Sequence, residues 1–96
     1  NGKYMSSSGK EKHLEFLMSN SGIFQNYFKE KFPVFYNSNI FLRDLQYSII
    51  TFYKSKKIHL GMTESEDLAF KYAGFLESQQ VITKLDHNTW KYNIKN

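Results

Sequence analysis

Apolar residues recur along this chain with two periods, helical as far as residue 78 and alternating from residue 81 onward. Leu14, Leu17 and Met18 repeat at helical spacing until Asn20, Ser21 and Gly22 interrupt. The pattern resumes with Ile23, Phe24, Tyr27 and Phe28 and stops ahead of Pro33, because the residue before a proline is driven out of helical conformation. A first helix that is kinked or split follows. Val34, Phe35 and Tyr36, bounded by Pro33 and by Asn37, Ser38 and Asn39, read as a brief strand over residues 34–36.

Asn39 is placed to cap a second helix by accepting a bond from an unpaired backbone N–H. Successive residues 100° apart put Phe41, Leu42, Leu45, Ile49, Phe52 and Tyr53 on one face of it, with Arg43, Asp44, Gln46, Thr51 and Lys54 largely opposite. Lys54, Lys56 and Lys57 mark its end, where positive charge meets the negative pole of the helix dipole. Thr63 to Glu66 match a capping box and predict the start of a third helix. Its buried face is Leu68, Ala69, Tyr72, Ala73, Phe75 and Leu76; opposite lie Glu64, Glu66, Asp67, Phe70, Lys71, Gly74, Glu77 and Ser78.

A two-residue turn at His87 and Asn88 closes a hairpin that pairs Asp86 with Thr89, Leu85 with Trp90, Lys84 with Lys91 and Thr83 with Tyr92. One side then holds Val81, Thr83, Leu85, Trp90, Tyr92 and Ile94, and the other Ile82, Lys84, Asp86, Thr89, Lys91 and Asn93. The fold class predicted is α+β: three main helices, the first kinked or split, then a C-terminal hairpin. Residues 1–9, rich in Ser and Gly, read as a loose leader or appended remnant, and residues 10–96 as a single domain.

Composition narrows this little. Hydrophobic content of 41% with 23% charged residues is that of a globular chain and argues against disorder. Nine Phe, seven Tyr and one Trp supply the bulk that so small a core needs. The absence of cysteine removes disulfides, zinc fingers and thiol nucleophiles, which fits a reducing, intracellular setting: the cytoplasm, or a nucleus if the source has one. No apolar run reaches the roughly 18 residues of a membrane span, so no membrane partner is expected.

The stretch AGFLESQQVITKLDHNTWKYN, in which a helix ends at Leu76 and Glu77, turns a polar corner and enters a hydrophobic strand, resembles the winged-helix superfamily. The likeness is one of fold, covers roughly residues 23–94, and implies a third helix that enters the DNA major groove, with Lys71, Lys84 and Lys91 meeting the backbone. This chain departs from that pattern. Four acids between residues 63 and 78 face the single Lys71, a net charge of −3, which leaves +7 for the rest of a chain whose total is +4. Acids repel phosphate, and the one arginine, Arg43, precedes the third helix.

The expected function is therefore a non-catalytic interaction module, binding a protein partner or itself. The surface consists of Glu66, Asp67, Phe70, Lys71, Gly74 and Glu77, with Phe70 an exposed apolar knob above the bare spot at Gly74. The partner would bring an apolar pocket rimmed with basic residues. The alternative is a DNA-binding domain that meets phosphate through Gln79, Gln80, Lys84, His87 and Lys91. An enzyme is the weakest reading. His13, His59 and His87 fall in no metal-ligand spacing, no nucleophile or phosphate-loop motif occurs, and no catalytic residue, cofactor, metal or small-molecule substrate is nominated.

Overall fold

Asn20 divides the first helical stretch into α1 (Met5–Ser19) and α2 (Ser21–Lys31). Its backbone N–H and side-chain amide both bond the Phe16 carbonyl at 2.9 Å, closing α1 while its own carbonyl starts α2 through Phe24 N–H. These features belong to a computed structural model, which describes residues 5–95 and side chains from Lys12 onward. Of the leader expected over residues 1–9, residues 1–4 lie outside the described residues and α1 begins at Met5. α2 ends at Lys31, and Phe32 is extended, as the residue ahead of Pro33 has to be.

After α2 come β1 (Asn39–Phe41), α3 (Leu42–Lys54), α4 (Met62–Ser78), β2 (Ile82–Asp86) and β3 (Thr89–Tyr92). The three strands form an antiparallel sheet in the order β1-β3-β2, so the last strand in sequence is the middle one. The chain is thus a small α+β domain of four helices on one three-stranded sheet. Leu17, Phe24, Leu45, Ile49, Tyr53, Leu68, Tyr72, Ile82 and Trp90 are among the residues that meet in its single core.

Four local expectations are corrected. The strand lies at residues 39–41, not 34–36, because a turn occupies the earlier apolar run. Ser38 N–H bonds the Phe35 carbonyl, and Asn37 takes φ 71, a left-handed conformation that asparagine tolerates. Asn39 therefore sits in β1 and caps nothing. The extended Phe41 precedes α3, whose first donor, Leu42 N–H, is taken by the Asn88 carbonyl of the hairpin turn at 2.9 Å.

The capping box does not form either. α4 begins at Met62 behind an extended Gly61, with no side-chain cap. Ser65, predicted inside the box, is wholly buried. Its hydroxyl donates to the Met62 carbonyl, and Gln46 of α3 donates to both that carbonyl and the Ser65 oxygen, at 3.0 and 3.1 Å. Satisfying buried polar groups across the α3–α4 interface outweighs a surface cap worth about 1 kcal/mol.

The fourth correction concerns hairpin register. Asp86 pairs with Thr89 as expected, but a bulge at Leu85 makes Lys84 the partner of Trp90, Thr83 that of Lys91 and Ile82 that of Tyr92. One extra residue exchanges the faces of β2. Ile82 becomes core at 2% exposure, while Leu85 is 51% exposed.

Small residues are among the most deeply buried: Ser48 of α3 and Ser65, Ala69 and Ala73 of α4 are all fully buried. Among the described residues the Ser48 hydroxyl has no hydrogen-bond partner. A buried, unsatisfied hydroxyl costs about 1–3 kcal/mol, so Ser48→Ala is expected to raise stability by about 1 kcal/mol, measured as a higher urea midpoint at unchanged m-value.

Candidate functional site

Within α4 the periodicity does sort the side chains. Leu68, Ala69, Tyr72, Ala73 and Leu76 are buried, and Glu66, Lys71, Gly74 and Ser78 are exposed. Asp67 and Lys71, one turn apart, form an ion pair of 3.3 Å. Glu77 is half-buried and accepts a 3.0 Å bond from the indole Nε1 of Trp90, tying the end of α4 to the middle strand. The acidic character of this face therefore comes mainly from Glu64, Glu66 and Asp67 near its start.

Phe70 corrects the expectation most directly. It is half-buried, not a bare knob, because the hairpin leans over it: its ring lies 5.4 Å from that of His87 and 6.4 Å from that of Trp90. A helical projection registers which way Phe70 points but not what the following hairpin covers. Gly74 is the opposite case. It is exposed in the interior of a 17-residue helix, and a Cβ built there would meet nothing within 4 Å. Gly74→Ala is expected to add roughly 0.5–1 kcal/mol of stability, read from thermal unfolding, since alanine fits and restricts the unfolded chain.

The alternative, nucleic-acid set does not form one surface. Lys84 is opposite Trp90, its ammonium 4.7 Å from the indole and bonded to the His87 carbonyl at 3.1 Å. Lys91 is opposite Thr83, and alternation along β3 puts it on the other side of the sheet from Trp90. The predicted Lys84–Lys91 pair is thus split between two faces by the bulge. His87 is exposed at the turn, and the neighbouring Asn88 holds the start of α3, so the hairpin tip is docked beside β1. Gln79 and Gln80 close α4. Gln80 adopts φ 63, the Val81 N–H reaches back to the Leu76 carbonyl, and Asn93 bonds the Gln80 carbonyl.

Among the described residues no three His, Cys, Asp or Glu side chains are grouped to hold a metal, and no helix is long and apolar enough to cross a membrane. No protein-family model, curated protein or solved structure matches this chain.

Proposed function

We propose that the chain is a winged-helix-like, non-catalytic interaction module whose α4 outer face docks a protein partner. The winged-helix part of this reading draws on the order helix, strand, helix, helix, hairpin and on the sheet order β1-β3-β2. The observation that carries the docking part is Gly74. Glycine at an exposed helix interior sacrifices stability, and among the described residues none occupies the open space above it. A partner's backbone close to α4 would use that space. Glu66, exposed on the same helix two turns earlier, favours a partner with a basic rim, and the exposed part of Phe70 gives it an apolar contact.

Self-association draws less support, since a symmetric pairing of two such faces would bring like charges together. Duplex binding through the hairpin also draws less support, because its two lysines lie on opposite faces and the α4 acids repel phosphate.

With no native cysteine, Ser78→Cys, exposed one turn beyond Gly74 on α4, gives a unique attachment point for a short photo-crosslinker that leaves the space at Gly74 open. The expected result is a discrete adduct with a basic protein, abolished by Glu66→Lys together with Phe70→Ala in a folded chain. An adduct pattern identical to that from a crosslinker at Ile23→Cys, on α2, would discard the α4 face.

A further inference from the structure

Where α3 ends, two open clefts meet at Ile58. One, of about 310 Å³, is lined by Ile50, Lys54, Lys57, Ile58, His59 and Leu60. The other, of about 280 Å³, is lined by Lys12, His13, Phe16, Tyr53, Lys56 and Ile58. Four lysines and two histidines from two distant parts of the sequence thus surround floors of aliphatic and aromatic side chains, and among the described residues no acid lines either cleft. Glu15, one turn along α1 from Lys12, is exposed and outside both. Among the described residues, Lys12, Lys54 and Lys57 have no ion pair.

The helix dipole accounts for part of this charge, since Lys54 lies in the last turn of α3. It does not account for Lys12, which comes from another helix. Nor does it account for Lys57. That residue closes α3 in left-handed conformation, φ 65, with its N–H on the Lys54 carbonyl and the Ile58 N–H on the Tyr53 carbonyl. Glycine fits that position without steric conflict.

We propose that this surface docks an acidic peptide segment of a protein partner, with two apolar side chains seated in the clefts on either side of Ile58 and carboxylates against the lysine rim. It is a second surface, independent of the α4 reading. The apolar floors favour a peptide over a nucleic-acid strand, whose phosphates would gain nothing from Ile50 and Ile58. Lys56, moreover, lies over the rings of Phe52 and Phe16, 4.9 and 5.7 Å from their centres, where bases would stack. A bilayer calls for several protruding apolar side chains, whereas of the apolar residues lining the clefts Ile58 alone is exposed, at 38%, and Leu60 and Tyr53 are 3% and 1% exposed.

The test is fluorescence anisotropy of the whole chain with short Glu- and Asp-rich peptides that carry two leucines at a series of spacings. The controls are charge-matched peptides with serine for leucine, a mixed-sequence DNA duplex and phosphatidylserine vesicles. At least one leucine peptide should bind about tenfold more tightly than its serine counterpart. Lys54→Glu should weaken it by a further factor of about ten. Lys57→Gly should weaken binding while thermal stability stays the same or rises, which separates lost recognition from lost folding. Equal binding of leucine and serine peptides, tighter binding of duplex or vesicles, or no binding by any leucine peptide would overturn the proposal. None of these outcomes bears on the α4 crosslink.

Discussion

Trp90→Ala is expected to destabilise the domain by about 3–5 kcal/mol, the range for truncating a fully buried tryptophan. Trp90 is 1% exposed at the centre of the middle strand, pairs with Ile40 on one side and Lys84 on the other, and packs against Phe70 of α4. Its loss would open a cavity where α4, β1 and β2 all lean on β3, and would leave the half-buried Glu77 carboxylate without the indole N–H. Domains of this size have a total of about 5–15 kcal/mol, so a large share of the variant should be unfolded in mild urea. Trp90→Phe separates the two contributions: it keeps most of the ring but not the donor, and should cost about 1–3 kcal/mol. Since Trp90 is the only tryptophan, far-UV circular dichroism is the suitable readout for both variants.

The second large effect is alkaline unfolding. Burial pushes the phenols of Tyr53 and Tyr72 up to about 12 from an ordinary 10.0; for Tyr72 the bond with Ser21 opposes the rise and is outweighed. Tyr53 is 1% exposed and bonds the His13 carbonyl at 3.0 Å; Tyr72 is 0% exposed and shares a 2.7 Å bond with Ser21. Above pH 10 the unfolded chain releases these protons while the folded one retains them, so the unfolded state binds fewer protons and stability falls with pH. The contribution is complete below pH 10 and lost as pH rises through 12. At about 1.4 kcal/mol per pKa unit, Tyr72 alone removes roughly 2–3 kcal/mol, and Tyr53 acts in the same direction. Phenolate absorbance and helix content should change together over that window. Tyr72→Phe should move the transition to higher pH, and ionisation of both phenols in an intact fold would contradict the burial described here.

How much of this was legible in the sequence depends on whether a feature is local. Most of the buried faces of α3 and α4, the break at Asn20 and the stop before Pro33 follow from helical period and from the chemistry of single residues. But Phe41, expected on the α3 face, lies in β1 and is 45% exposed, and Phe75 of the α4 face is half-buried. The His87–Asn88 turn was legible because an alternating run flanks it on each side. The bulge at Leu85 was not, since Val81, Thr83 and Leu85 alternate as cleanly as Ile82 and Lys84; only packing beneath α4 makes Ile82 the buried one. β1 was misplaced for a related reason. Val34, Phe35 and Tyr36 have the stronger strand propensity, but Asn39 to Phe41 find the partner. On α4 the helical period marks Glu66, Lys71 and Gly74 as exposed, and it misjudges Phe70, whose cover comes from residues seventeen to twenty positions later.

The strand order also governs how the domain can assemble. β1 and β2 never touch in the sheet, and each pairs only with β3. A growing or refolding chain can form α1 to α4 from local contacts, yet Ile40 and Ile82 have no ladder to join until residues 89–92 arrive. Completing the sheet therefore needs, besides the local β2–β3 hairpin, a β1–β3 pairing that spans some fifty residues of sequence, of the non-local kind that slows folding. Until it occurs, the Leu42 N–H lacks its Asn88 acceptor and Phe70 lacks its cover, so the helical half is left with the surface the hairpin later hides.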